Sequence, residues 1–142
     1  MARKARREVL PALPRLFTRL HPDAPAAEAG GTALWETARA FPGCSVLAAE
    51  ADGEPVSTCT VTVIPNPTHG GRPYAPVENV VTGAAYRGRG LVFACLREAE
   101  TLARAAGYKL MLMTGSREEN TLRFYERAGY NRTDKTGFVR WL

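Results

Sequence analysis

The stretch from residue 77 to residue 90 constrains the fold most, because an apolar strand pattern runs through a glycine-rich turn directly into a helical pattern. The strand pattern covers residues 77–82 and the helical pattern covers residues 91–106. A helix N-terminus gathers backbone N–H groups whose partial positive charge favours a bound anion. Arg87 and Arg89 add two full charges to the turn. The pattern therefore predicts an anion-binding loop at the end of a strand.

A second strand, predicted at residues 109–114, follows the long helix. Leu91, Cys95 and Ala99 begin an apolar stripe along that helix, and Gly107 is its expected C-terminal stop. Such a strand–helix–strand unit makes its two strands parallel and packs the helix on one face. The anion-binding loop then lies beyond the carboxyl end of its strand, where α/β sheets bind ligands.

The rest of the chain predicts further elements around this unit. Asp52-Gly53 lies between two strand-like runs and is a strong β-hairpin signal. Thr32 and Asn120 are candidate N-caps, and Gly129 is a candidate C-terminal stop. The other strands are predicted at residues 3–5, 45–51, 55–64 and 138–142, the other helices at residues 8–20, 32–41 and 120–128, and a long loop at residues 65–76. With 142 residues and 45% hydrophobic content, residues 1–142 are expected to form a single domain.

Charge and cysteine content bound the function. Residues 87–142 hold eleven Lys or Arg against six Asp or Glu, which accounts for the net charge of +5. A polyanionic ligand, a nucleic-acid surface and a solvated basic face all fit this excess. Cys44, Cys59 and Cys95 lack metal-ligand spacing and are expected to be reduced thiols, with no metal. Without a membrane-spanning run or a signal-peptide pattern, we expect a cytoplasmic protein with no membrane partner.

Two motifs resemble the GNAT superfamily of acyl-CoA-dependent N-acetyltransferases. The family's phosphate-binding signature is Arg or Gln, two residues, Gly, one residue, then Gly or Ala, and the corresponding run is Arg87-Gly88-Arg89-Gly90-Leu91-Val92. Residues 120–130 resemble the family's Asn…Phe-Tyr…Gly-Phe segment. The resemblance implies an α/β (α+β) fold with a mixed, mostly antiparallel twisted sheet, a central parallel βαβ unit and helices on both faces.

The resemblance also implies acetyl-CoA as co-substrate and a primary amine, of a small molecule or a protein, as acceptor. Backbone groups of the strand would pair with the pantetheine arm, and N–H groups of the loop would hold the pyrophosphate. The cofactor-binding residues implied are Val80, Val81, Thr82, Arg87, Gly88, Arg89, Gly90, Leu91, Val92, Asn120 and Phe124. Val92 stands where the family has Gly or Ala. Its branched side chain would obstruct a close approach of the pyrophosphate.

Proton transfer requires two further groups. An alkyl amine with a pKa near about 10.4 must lose a proton before it attacks the thioester. Glu78 is the candidate base, directly or through a water, with an ion pair or a loop cap as the alternative. By resemblance, Tyr125 is the general acid that protonates the departing thiolate. The alternative is that Tyr125 only packs, together with Phe124 and Tyr130.

The acceptor is less defined by the sequence. His69, Arg72 and Tyr74 in the long loop, and residues 21–23, are the candidates for lining its pocket. A non-catalytic acyl-CoA-binding or protein-interaction module remains an alternative function. A nucleic-acid binder ranks last because aromatic and basic residues are not interleaved along the sequence. A last strand available for pairing allows a homodimer.

Overall fold

The computed structural model describes residues 1–20, 22 and 31–142, and it contains one five-stranded sheet. The strands are β1 (Ala2–Lys4), β2 (Cys44–Ala51), β3 (Glu54–Thr62), β4 (Tyr74–Thr82) and β5 (Lys109–Leu112), and they lie side by side in this order. Neighbours are antiparallel except β4 and β5, which are parallel. The sheet is therefore mixed and mostly antiparallel, as the sequence predicts.

Helices pack on both faces of the sheet. They are α1 (Leu13–Phe17), α2 (Gly31–Ala40), α3 (Leu91–Ala106) and α4 (Glu119–Arg127). One core cluster joins Cys95 and Ala99 of α3 to Val77 of β4. A second cluster, on the other face, joins Leu10 and Leu13 of the N-terminal segment to alternate residues of β2. This two-sided arrangement confirms the predicted α/β fold class.

The end of β4 separates from β5. Pairing between the two strands stops at Val77 opposite Leu112, although β4 continues to Thr82. In its pairing with β3, β4 has one extra residue between Glu78 and Val81, and Asn79 there has φ of 55°. Such a bulge bends and twists its strand. Residues 78–82 consequently have an open edge on the side that β5 would otherwise occupy.

Local signals for the long helix and the tight turns are confirmed. α3 begins and ends where its apolar stripe indicates, and Gly107 is its C-cap. Asp52 and Gly53 have φ of 51° and 80°, as the predicted hairpin turn requires. Gly129 has φ of 92° just after α4, in the left-handed region that favours glycine at helix ends.

Three predicted elements differ from the structure. The helix expected at residues 8–20 is a 3₁₀ segment, Arg7–Ala12, followed by the short α1, because Pro11 and Pro14 each lack a backbone donor. β4 begins at Tyr74, inside the predicted loop. The strand predicted at residues 138–142 is not formed. Phe138 and Trp141 of this segment are each 91% exposed. Because no strand follows β5, it is the edge strand of the described sheet, and the parallel unit lies at the edge of that sheet rather than at its centre.

The N-cap predicted at Asn120 is wrong. The N-cap of α4 is Glu118, so Asn120 lies inside the first turn and does not cap the helix. α2 begins at Gly31, and the side chain of Thr32 lies outside the described part of the structure.

Candidate active site

A cavity of about 700 Å³ lies along the open edge of β4. Its walls come from the end of β4, the loop and first turn of α3, one side of α4, and Arg19 and Leu20 after α1. Eleven of the thirteen predicted site residues line it, and Glu78 and Arg89 are the two that do not. The eleven are Val80, Val81, Thr82, Arg87, Gly88, Gly90, Leu91, Val92, Asn120, Phe124 and Tyr125.

The loop before α3 gains its shape from two glycines. Gly88 and Gly90 have φ of 74° and 73°, which only glycine adopts without strain. Gly90 is the N-cap of α3, and its carbonyl accepts the first helical hydrogen bond from Ala94 at 3.1 Å. As N-cap, Gly90 has no side chain that could cap this helix end, and the first N–H groups of a helix have no intrahelical acceptor. These N–H groups are therefore available to an anion in the cavity.

Arginines make the cavity positive. Arg19, Arg87 and Arg127 line it, and its lining residues in the described part of the chain include no Asp or Glu. Arg89 instead stacks over the Tyr86 ring, with its guanidinium carbon 5.2 Å from the ring centroid. The sequence motif indicates Arg87 but gives no signal for Arg19. The position of Arg19, which follows α1, depends on the packing of α1 against the end of β4, where Leu16 approaches Gly83.

The open edge of β4 presents backbone groups to the cavity. Gly83 donates its N–H to the Val56 carbonyl of β3 at 2.9 Å. Successive residues of a strand direct their backbone groups to opposite edges, so the groups of Thr82 point to the open side. An extended ligand can therefore add to this edge as another strand would.

Tyr125 reaches the cavity from α4 and is half-buried. Its ring makes an edge contact with Phe124, with centroids 5.1 Å apart, and Phe124 in turn contacts Phe93 of α3. Burial, and secondarily the nearby Cys59 thiol, raise the pKa of Tyr125 above its ordinary value. The hydroxyl is thus protonated at neutral pH and able to donate a proton. The packing expected as the alternative role of Tyr125 is also present, because its ring makes an edge contact with the Tyr130 ring, with the two centroids 6.2 Å apart.

Glu78 is exposed on β4, one residue before the bulge, and pairs in register with Thr60 of β3. It makes no ion pair within 4.0 Å among residues 1–20, 22 and 31–142. The ion pair considered as its alternative role is therefore not seen in that part of the chain. A proton path from the cavity to this carboxylate needs at least one bridging water, since Glu78 does not line the cavity.

The loop residues considered for the acceptor pocket lie elsewhere. His69 stacks on Tyr108 with centroids 4.2 Å apart, and Arg72 donates a hydrogen bond to the Gly107 carbonyl at 3.2 Å. Lys109 lies 5.2 Å from the Tyr74 ring centroid. These residues lie where β4 and β5 begin, at the opposite end of β4 from the cavity. Basic and aromatic side chains do interleave here, which the sequence order alone does not indicate. His21 and Asp23 lie outside the described residues.

The described ranges contain no group of three His, Cys, Asp or Glu side chains able to hold a metal ion. None of the helices found there has both the length and the apolar character needed to cross a membrane. The three cysteines are free thiols.

Comparisons with known proteins agree on the family. Residues 7–130 match the sequence model of the family described as "Acetyltransferase (GNAT) family". A putative acetyltransferase from Agrobacterium tumefaciens str. C58 has a solved structure that is 36% identical, with a TM-score of 0.91 and 99% of each chain covered. Glucosamine 6-phosphate N-acetyltransferase from Trypanosoma brucei brucei is 34% identical over 79 residues, which are 55% of this chain and 52% of that protein. The match thus spans about half the length of this curated relative.

A third comparison concerns the fold alone. The structure of AAC(6')-Iy in complex with the bisubstrate analogue CoA-S-monomethyl-acetylneamine is 16% identical, with a TM-score of 0.81 and 100% and 97% of the two chains covered. The family match covers most of the chain, and it agrees with the two motifs and the fold. The chain belongs to the GNAT family of acetyltransferases, whose co-substrate is acetyl-CoA.

Val92 is the residue of this cavity that departs from the family signature. It lies in the first turn of α3, lines the cavity and packs against the core cluster beneath the helix. We predict that Val92→Gly and Val92→Ala both bind coenzyme A more tightly, by roughly threefold or more, because the branch no longer limits the approach of the pyrophosphate. Titration calorimetry measures the dissociation constants.

The two variants separate sterics from helix stability. Glycine costs a helix about 1 kcal/mol relative to alanine, so Val92→Ala removes the branch without loosening α3. Val92→Ile, which adds a methyl group, is the matched control and should bind more weakly than the wild type. Equal or weaker binding by both smaller variants would contradict the steric argument.

Proposed function

We propose that the protein is an acetyl-CoA-dependent N-acetyltransferase that transfers an acetyl group to a primary amine by direct attack. The observation that carries the proposal is one cavity lined by the open edge of β4, by the N-terminal turn of α3 and by Tyr125. Residues 80–82 would pair with the pantetheine arm. Residues 87–92 would hold the pyrophosphate, with Asn120 and Phe124 contacting the cofactor from α4.

Starting from the protonated amine, the nitrogen loses one proton before attack and a second as the amide forms, while the departing sulfur gains one. The neutral amine nitrogen attacks the thioester carbonyl carbon, and the tetrahedral intermediate then collapses with cleavage of the carbon–sulfur bond. Glu78 would take the proton from the amine through a bridging water, because its carboxylate lies outside the cavity. Tyr125 would give its proton to the departing sulfur. Burial raises the pKa of Tyr125, so its hydroxyl is protonated at neutral pH, as an acid must be before it donates, and the same shift makes it a weaker acid.

We place the whole reaction in one domain, residues 1–142, in the cytoplasm. The three free thiols support a reducing compartment. A non-catalytic acyl-CoA-binding module with the same fold is the second candidate function. The observation that favours it is Val92, which narrows the cavity at the helix N-terminus where the family signature has a small residue.

The test is the release of free thiol from acetyl-CoA across a panel of amines. The panel includes glucosamine 6-phosphate because the Trypanosoma brucei brucei relative is a glucosamine 6-phosphate N-acetyltransferase. It includes neamine because the bisubstrate analogue bound to AAC(6')-Iy contains acetylneamine. Glucosamine without the phosphate is the matched control for a preference for anionic acceptors set by the cavity arginines Arg19, Arg87 and Arg127. Thiol release that depends on an amine supports the transferase. Binding of coenzyme A with no release for any amine, peptide amines included, favours the non-catalytic module.

Tyr125→Phe should lower turnover by about 100-fold, the lower end of what general acid catalysis contributes, while coenzyme A binding stays nearly unchanged. Because burial raises the pKa of Tyr125 above its ordinary value, this residue should stay protonated, and should cause no loss of wild-type activity, through neutral and mildly alkaline pH. Steady-state kinetics against pH measure both effects. Tyr130→Phe is the matched control, since Tyr130 is also half-buried but does not line the cavity. Parallel loss of binding and turnover in Tyr125→Phe would indicate a packing role instead.

Glu78→Gln should reduce the rate and remove the acid limb of a bell-shaped pH profile, because the amide cannot accept the proton of the amine. The pH dependence of kcat/KM is the measurement. Glu54→Gln provides the control, as Glu54 is an exposed carboxylate at the start of β3, away from the cavity. An unchanged rate and acid limb would mean that another group, or bulk water, is the base.

We propose in addition that the protein forms a homodimer through residues 138–142 and the free edge of β5. Phe138 and Trp141 are each 91% exposed and Val139 is 64% exposed, and burying such a side chain contributes about 1.5–3 kcal/mol. Gly137 lies against Met113, so this segment begins beside the end of β5. Apolar side chains on both faces of the segment favour a second copy, because pairing within one chain would leave one face in water.

The double variant Phe138→Asp/Trp141→Asp should be monomeric where the wild type is dimeric. Sedimentation velocity gives the two masses, and hydrogen exchange reports whether the amides of β5 lose protection. Phe41→Asp is the matched control, since Phe41 is a similarly exposed aromatic residue, 61% accessible, on another surface. A monomeric wild type at high micromolar concentration, or a double variant that still dimerises, would contradict the proposal.

A further inference from the structure

Ser57 of β3 lies beneath the candidate active site and is completely buried, directly opposite Thr82 at the end of β4. Its Oγ lies 2.7 Å from Thr82 Oγ1 and 3.3 Å from the Val81 carbonyl oxygen. The Cys95 Sγ of α3 lies 3.9 Å from Ser57 Oγ. One buried hydroxyl thus contacts two of the elements that form the cavity, β4 and α3.

The hydrogen-bonding capacity of Ser57 matches these three partners. A hydroxyl donates one hydrogen bond and accepts two. The Val81 carbonyl can only accept, so the arrangement that satisfies all three has Ser57 donating to it. Thr82 and Cys95 then donate to Ser57 Oγ. Burial raises the pKa of the Cys95 thiol, which keeps it protonated and able to donate.

The three hydrogen-bond partners of Ser57 belong to β4 and α3, two elements that border the cavity. Val81 and Thr82 are the last two residues of β4, whose open edge borders the cavity, and Cys95 lies one turn beyond the first residue of α3. We propose that Ser57 is a positioning residue for acetyl-CoA, whose hydroxyl fixes the separation between the edge of β4 and the N-terminus of α3. This inference rests on the proposed function, because that cofactor would engage both elements at once. A ligand held at two places loses affinity when one shifts relative to the other.

Ser57 acts through its neighbours and does not line the cavity. A purely structural role would lower stability without changing cofactor affinity. The adjacent Thr58 offers a matched control for that role. It is also completely buried, and its hydroxyl donates to the Leu47 carbonyl of β2 at 2.7 Å. Successive strand residues face opposite sides of the sheet, so the Thr58 hydroxyl lies on the face away from α3.

The experiment compares Ser57→Ala with Thr58→Val, each of which removes one buried hydroxyl. Both should lower the melting temperature. Only Ser57→Ala should raise the KM for acetyl-CoA and the dissociation constant of coenzyme A, by about five- to tenfold, since a buried hydrogen bond is worth close to a tenfold change in affinity. Its kcat at saturating acetyl-CoA should stay within about twofold of the wild type, because no reacting group is removed.

A double-mutant cycle tests the contact itself. Ser57→Ala and Thr82→Val remove opposite sides of the same hydrogen bond. The double variant should therefore bind coenzyme A only slightly less tightly than whichever single variant binds it less tightly. Thr82→Val also reports on the contact if Ser57→Ala does not fold. Ser57→Cys retains a weaker donor, and its KM should lie between those of the wild type and Ser57→Ala.

Two results would overturn the inference, and they can be told apart from failure of the proposed function. Equal coenzyme A affinity in the wild type, Ser57→Ala and Thr82→Val would leave the transferase standing and remove the positioning role. A similar loss of affinity in Thr58→Val would show that general destabilisation explains the effect. A wild type that binds no coenzyme A at all would overturn the proposed function, and the role of Ser57 with it.

Discussion

The bulge at Asn79 is the constraint on which the rest of the site depends. One extra residue in β4, held with φ of 55°, ends the pairing with β5 at Val77 while pairing with β3 continues to Thr82. Asn tolerates this left-handed backbone better than most residues, so the strain is modest. Without the bulge, β5 could follow β4 to its end and occupy the edge that now borders the cavity. The cavity exists because this edge is left without a strand.

The second half of the site is electrostatic and is fixed by the turn after β4. Gly88 and Gly90 let the chain reverse in left-handed conformations and enter α3 without a side-chain cap. Arg87 and the first turn of α3 then line the same cavity. Beneath this wall, the buried Ser57 hydroxyl ties the end of β4 to α3, so the strand edge and the helix end keep a defined separation.

Much of the fold and of the candidate site could be predicted from local sequence signals. The bounds of α3, the Asp52-Gly53 turn and the glycines of the anion-binding loop depend on backbone preferences of the residues themselves. Local patterns failed where an element needs a distant partner. Residues 138–142 have a strand-like composition, yet a strand forms only when another strand pairs with it. His69 and Arg72 looked available to a ligand, but the start of β4 carries them to the opposite end of the strand from the cavity.

The sequence by itself determined the family, and through that resemblance the mixed α/β architecture and eleven residues that line one cavity, because the two motifs that carry the resemblance each span only a few consecutive residues. Only the tertiary structure decided which strand edge stays open, that Glu78 lies outside the cavity, that Arg19 lines it, and that Ser57 contacts Thr82 and Cys95 beneath it. Ser57 and Thr82 are 25 residues apart in the chain and meet only when β3 and β4 pair in register. Such contacts depend on strand register and on the packing of α1 and α3, which local preferences do not specify.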